Sequence, residues 1–466
     1  MVDELLDFDS APAAEPPTWL ADPDITDRPN RPALRNLQEE ERQKIQREMR
    51  QKEGERMAEL RAWWLYRMRY SKHPLQEKLT LFWHGHFATS MEKVRSSYCM
   101  YQQNQTFRRL AAGSWPELVL AVAQDPAMLI YLDNAQSRSG HPNENFAREL
   151  MELFTLGEGH YREEDILEAA RAFTGWTLAG ETFTFEERPR MHDAGNKTLF
   201  GQSGRLDGND AIRIVLEQPA ADPWITRKLW TFFAYANPDP ALVETLAGRL
   251  REHHHAFKPW LRELFLSREF YSQRALHTQI KSPVQWLVST AHYLEAPLPS
   301  GDDCTRMLRQ LGQELFAPPN VKGWDGGTSW INANTLLQRG NLAGQLVKGP
   351  AAVAKPARAL PPNERTGREA TQRALEWRLF QRPLRESDRA ALASLLAAKP
   401  EPARWTDLDV SDILHASMSI PSYQLTQKGL PHDTIRPQNP PRVPPLHPAG
   451  RSPDLDRTLL RRQHHG

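Results

Sequence analysis

His141-Pro-Asn-Glu-Asn-Phe-Ala-Arg-Glu-Leu-Met-Glu-Leu-Phe-Thr-Leu-Gly-Glu-Gly-His-Tyr161, followed by Arg162 to Trp176, is the stretch on which the fold turns. Pro142 and Asn143 are helix start signals. Phe146, Leu150, Leu153 and Phe154 recur at i, i+4, i+7 and i+8, so one face of the first helix belongs to a core. Asn145, Glu149 and Glu152 fall in an arc of roughly 60° on the flank of that face. Gly157 and Gly159 stop the helix and turn the chain, with His160 in the turn. Glu163, Glu164 and Asp165 suit the first turn of a second helix, where the dipole favours negative charge. Its inward residues are Ile166, Leu167, Ala170 and Phe173, and it is expected to end at Thr174-Gly175-Trp176. The pattern predicts a helical hairpin with carboxylates, an amide and an imidazole near its joint.

Outward from this hairpin the chain is dominated by helical periodicity. A charged pattern runs from Asn36 to Tyr70, with Gly54 as its weak point and Trp63, Trp64, Leu65 and Met68 at its end. From Pro74, the residues Leu75, Leu79, Phe82 and His86 form one stripe, which directs His86 to the core side and His84 away from it. Two rings in a His-x-His pair cannot share a metal on an unbroken helix. Residues 91–139 and 210–347 carry further helices, and residues 367–427 carry two or three more. Near 178–206, Thr182-Phe-Thr-Phe185 alternates like a short strand, and the polar segment His192 to Gly204 follows. The fold class read from this is mainly α: one large multi-helical domain with a small β-hairpin or loop insertion. Its parts are an irregular arm over 1–33, a main helical domain over 34–347, a linker over 348–366, C-terminal helices over 367–428 packing on the main domain, and a tail over 429–466. Seven prolines between Pro431 and Pro448 give that tail a disordered or extended reading.

Composition narrows the partners. Of 466 residues, 59 are basic and 58 acidic, a balance that argues against nucleic acid as the main ligand. There is no run of 18 apolar residues, so no transmembrane helix is expected. Cys99 and Cys304 form neither a disulfide framework nor a zinc cluster, and their pairing stays open. The 14 tryptophans are a high count for a chain whose apolar content is only 39%, and indole faces suit stacking on rings. G-x-S-x-G, H-E-x-x-H, C-x-x-C and P-loop motifs are all absent.

Asn143 to Gly157 with Ala170-Arg-Ala-Phe-Thr-Gly-Trp176 resembles the bacterial domain-of-unknown-function family numbered 1800. So do Phe82-Trp-His-Gly-His-Phe87, His192 to Gly201, Lys281-Ser-Pro-Val-Gln-Trp286, and Pro318 to Gly327 with Trp330-Ile331. The resemblance covers most of the chain, to about Gln427, and implies no settled activity. It implies an exported or periplasmic protein whose start is placed late, because family members carry an earlier helical segment and many an export signal. No signal peptide stands at Met1. It also implies joint action with an exported, sulfatase-like partner protein.

Three functions compete. The first is a hydrolase-type enzyme with a carboxylate–imidazole site: Glu149, His86, His192 and Asp193 are the catalytic candidates. Glu149, Glu152 and His160 are candidate ligands for a divalent metal, the oxygen and nitrogen donors suiting manganese, iron or zinc. The plain alternatives are a core histidine at His86, a loop tied down by His192, Asp193 and Lys197, and a surface ion pair from Arg148 to Glu144 or Glu152. The second is a binding or assembly module for a glycan, with Asn145, Trp176, Lys197, Trp324, Asp325 and Trp330 as ligand-binding candidates. Against it, both tryptophans of the 324–334 loop can plug the core while its polar groups cap helices. The third is a structural or chaperone-like partner of another envelope protein. On geometry, His86, Asn145, Glu149 and His192 are expected to line one pocket, with the 324–330 loop at its rim.

Overall fold

The computed structural model describes residues 2–8, 15–22, 25, 38–179, 182–276, 278–349 and 352–426. The tail read at 429–466 and most of the arm at 1–33 lie outside these residues. The described part falls in one compact unit, within Met1–Gly429, and it is mainly α. Helix α1 (Glu39–Tyr70) runs unbroken through Gly54. It is followed by α2 (Pro74–His86), α3 (Ser97–Arg109), α4 (Trp115–Ala123) and α5 (Pro126–Tyr131). The hairpin predicted from the motif is α6 (Glu144–Glu149) and α7 (Glu163–Ala172). Beyond the insertion come α8 (Gly208–Leu216), α9 (Ala221–Phe233), α10 (Pro240–Glu252) and α11 (Phe257–Leu266). The last long helices are α12 (Pro283–Tyr293), α13 (Gly301–Gln310), α14 (Ala333–Val347), α15 (Arg368–Leu375), α16 (Glu386–Ala397) and α17 (Asp407–Ser419).

Local chemistry sets many of these boundaries. Asp125, Asp239 and Ser282 each cap a helix whose first residue is proline, so the missing N–H falls where no intrahelical partner exists. Asp207 with Asp210, and Thr406 with Asp409, close reciprocal capping boxes.

Two apolar clusters fill the interior. One gathers α2 and α4 through α11; the other gathers the second half of α1 with α12 through α17. Helix α2 lies between them. Leu79, Phe82 and Trp83 enter the first cluster, while His84 meets Trp64 and Phe316 of the second at 5.4 Å and 5.2 Å between ring centroids. The stripe reading of α2 is therefore corrected for His84. It points away from one core and into another, and both histidines are buried.

The insertion is two hairpins rather than one. Strand β1 (Trp176–Leu178) pairs antiparallel with β2 (Phe185–Glu187), and β3 (Lys197–Leu199) with β4 (Gln202–Gly204). Helix α7 ends at Ala172, so Trp176 opens a strand instead of closing a helix. Gly175 makes the break: its φ is +88°, and a Cβ there would lie 2.8 Å from the Arg188 carbonyl oxygen. Within the segment read as a linker, Ala354, Ala359 and Leu360 are buried in the second cluster. Cys99 and Cys304 are both buried and are not joined in a disulfide, and burial pushes the Cys304 thiol up to about 12.

Candidate functional site

The motif helix does not stay α-helical. After Glu149 it widens into a π turn over Leu150–Thr155, a departure often found at functional sites. Side chains meet carbonyls along the wide turn, and the last of these lie beyond its ladder. Thr155 Oγ1 donates to Leu150 O at 2.5 Å, Trp224 Nε1 to Leu153 O at 3.0 Å, and His86 Nε2 lies 3.0 Å from Phe154 O. Gly157 follows at φ +87°, and a Cβ there would sit 2.6 Å from the Trp224 ring. The glycine is thus required twice, by its backbone angle and by the indole packed against it.

On the flank of this turn, Glu149 is half-buried and makes no hydrogen bond or ion pair among the described residues. Burial raises its carboxyl above the ordinary value; nearby Glu152 adds to this, and Lys322 and Arg148 oppose it. Tyr131 faces the same acid: burial, then Glu149 and Glu92, push its phenol up. Arg148 pairs with Glu144 at 3.2 Å and Glu163 at 2.8 Å, not with Glu152. Glu152 instead accepts from Tyr161 Oη at 2.8 Å. His160 is exposed in the turn. Among the described residues no three His, Cys, Asp or Glu side chains are placed to hold a metal, so Glu149, Glu152 and His160 do not form the three-ligand set expected of them. The π turn also changes the angular step beyond Glu149, on which the predicted arc depended.

The other candidates are drawn into separate networks. His86 is ringed by Phe82, Trp83, Phe87, Trp115 and Phe154. Burial, with help from Lys228, holds its imidazole at about 3, so Nε2–H is the donor to Phe154 O. His192 Nδ1 lies 2.9 Å from Thr174 O. Asp193 grips Arg171 through two bonds of 2.8 Å and 3.3 Å, and that guanidinium holds its carboxyl at about 2. Lys197 is buried and donates to the carbonyls of Asp193 and Gly195. These bonds fasten the 192–197 loop. Asn145 is exposed near the start of α6, where its N–H meets the Asn143 cap. Trp176 is 1% exposed between Phe173 and Phe185. Trp330 is buried, Asp325 is exposed, and Asn332 caps α14. Trp324 lies half-buried on the His84 ring at 5.6 Å, beside Gly85. A Cβ at Gly323 would fall 2.1 Å from the Gly85 carbonyl oxygen, which shows how closely the two motif loops meet.

A different concavity was not foreseen. A cleft of about 730 Å³ opens beside α3, lined by Gln76, Gln102, Gln105, Gln124, Thr106 and the rings of Tyr101 and Phe185, with Asp125 and Arg108 among its polar groups. Arg108 shares its counter-ion with Arg67, and Arg109 stands beside it in the lining. The Arg108 guanidinium makes two 2.9 Å bonds to Glu77, which also accepts from Arg67 at 2.8 Å and Trp64 Nε1 at 3.0 Å. Burial opposes ionisation of Glu77, but the two arginines outweigh it and hold its carboxyl below the ordinary value. The sequence signal for this cleft was the run Tyr98 to Arg109, polar on a helix that must still bury Cys99, Met100 and Phe107.

A family model described as a protein of unknown function (DUF1800) matches residues 4–425. The chain belongs to that family. No curated protein and no solved structure matches it. No described helix is long and apolar enough to cross a membrane.

Proposed function

We propose that this member of the DUF1800 family is a binding or assembly factor that takes a glycan segment in the cleft beside α3. The supporting observation is the character of that lining: amides, hydroxyls and two aromatic rings beside Arg108 and Arg109, with Arg108 held in place by Glu77. Amides and hydroxyls offer both donors and acceptors to sugar hydroxyls, and Tyr101 and Phe185 offer ring faces. The proposed binding place is thus the α3 cleft rather than the 324–334 loop, where Trp330 is core and Asn332 is a cap. A hydrolase reading has less behind it, since His86 and His192 are bonded to backbone carbonyls and Glu149 has no imidazole partner. The setting proposed is the cell envelope, in concert with an exported sulfatase-like protein, on the family resemblance. The test is a glycan array followed by calorimetry. Oligosaccharides should bind wild type, and Phe185→Ala should weaken binding about tenfold, the loss of one stacking face. An array without hits from folded protein would end this reading.

A further inference from the structure

The motif Lys281-Ser-Pro-Val-Gln-Trp286 finds no role in the cleft or around Glu149. Lys281 is 1% exposed, and its Nζ lies 3.9 Å from the Tyr423 ring centroid and 5.3 Å from that of Tyr293. Beside it is Arg339, also 1% exposed, which donates from one terminal nitrogen to the Lys281 carbonyl at 2.8 Å and from the other to Gln424 Oε1 at 3.2 Å. The chain end closes over both. Lys281 N donates to Gln424 O, Thr426 N donates to Gln279 O, and Tyr423 Oη pairs with Thr290 Oγ1 at 2.7 Å.

The charge here does not balance. Two cationic side chains lie inside the protein, and neither has an acidic partner or an ion pair among the described residues. A guanidinium keeps its proton in proteins, so Arg339 cannot escape the cost of burial by neutralising itself. Each side chain also has an unspent donor: Lys281 Nζ and Arg339 Nε are buried without hydrogen-bond partners. Arg61, Arg67, Arg108 and Arg378, by contrast, each meet a carboxylate.

We propose that Lys281 and Arg339 together hold a chloride-sized anion in the interior, beneath the segment that carries Tyr423. One anion would offset one of the two charges and meet both idle donors at once. Size selects a halide over an oxyanion: both cations are 1% exposed, and a carboxylate or phosphate would bring two to four oxygens into the same close-packed interior where a halide brings one atom. The ring of Tyr423 against the ammonium lowers the cost of its charge but supplies no counter-charge.

The experiment is thermal melting of the full chain at constant ionic strength, with chloride replacing gluconate stepwise. The proposal expects a saturable rise in wild-type melting temperature of roughly 2–4 °C, as binding to the folded state alone requires. Lys281→Met keeps most of the volume and removes one donor, so its melting temperature should not respond to chloride. Crystals grown with bromide should show an anomalous peak between Lys281 Nζ and Arg339 Nε, which decides the matter even if the variant does not fold. A flat wild-type response, an equal rise in Lys281→Met, or bromide at surface positions only would overturn the proposal.

Discussion

His86 Nε2 meets the carbonyl oxygen of Phe154 at 3.0 Å across 68 residues of sequence. This bond ties the last turn of α2 to the π turn of the motif helix. It gives the histidine of Phe82-Trp-His-Gly-His-Phe87 a structural task. His86→Phe would keep a ring in the aromatic cluster and leave Phe154 O buried without its donor. The expected cost is about 1–3 kcal/mol in a chemical denaturation experiment.

The same substitution has a pH signature. Burial holds the imidazoles of His86 and His84 at about 3, below the roughly 6.5 of an unfolded histidine. Between those values the unfolded chain binds protons that the folded chain cannot. Stability is therefore complete above pH ~6.5 and falls as pH drops towards ~3. Asp125, pushed up to about 7 by burial, titrates in the opposite sense and offsets one histidine over part of this window. The difference between wild type and His86→Phe isolates one group. Their stabilities should converge on acidification at about 1.4 kcal/mol per pH unit, and parallel curves would refute the assignment.

Gly157 and Gly159 provide a paired test of the turn. Both have positive φ, at +87° and +83°, but a Cβ at Gly157 runs into the Trp224 ring at 2.6 Å, whereas Gly159 faces open space. Gly159→Ala should cost only the backbone term, about 1–2 kcal/mol. Gly157→Ala adds an overpacking term of about 1–3 kcal/mol. Thermal melts of the two variants should separate by that second amount. Equal losses would mean that Trp224 yields freely.

Much of this architecture was legible because it rests on short-range patterns. The α6–α7 hairpin follows from Phe146, Leu150 and Phe154 on one stripe and from Gly157 at its end. The aspartate and serine caps with proline behind them mark other starts. What was not legible depends on distant partners. The stripe on α2 could not reveal that a second core waits for His84, because Phe316 comes more than 200 residues later. Glu77 reads as an ordinary first-turn acid, yet it anchors Arg67 and Arg108 in the interior. The π turn leaves no mark on apolar spacing, although it resets the angles on which the Glu149–Glu152 arc was drawn. Two hairpins replace one expected insertion because a short strand is fixed by its pairing, here Trp176 with Glu187.

Two glutamates should answer the same substitution differently. Glu77 is 1% exposed and holds two arginines and an indole. Glu77→Gln should cost about 3–5 kcal/mol, since it leaves guanidinium charge buried without its counter-ion. Glu149 is half-buried, unpaired and next to Glu152, so removing its charge relieves repulsion and breaks no bond. Glu149→Gln should shift stability by less than about 1 kcal/mol, or raise it slightly. A large loss at Glu149 would mean that its carboxylate has a structural partner after all.

Burial, with Arg339 nearby, lowers the Lys281 ammonium to about 7, against about 10.4 in an unfolded chain. Below pH ~7 both states carry the proton, and the folded state bears the cost of burying it. Between ~7 and ~10.4 the unfolded chain binds more protons, so this residue makes stability rise with pH. Lys281→Met lacks the group, and its curve should lose a slope of up to about 1.4 kcal/mol per pH unit in that window. The comparison belongs in chloride-free buffer, because a bound anion would favour the ammonium and draw its titration back towards the ordinary value. Adding chloride should then flatten the wild-type curve and leave that of Lys281→Met unchanged. If wild type and variant run parallel from pH 7 to 10 without chloride, Lys281 titrates as an ordinary lysine and its burial carries no proton-linked cost.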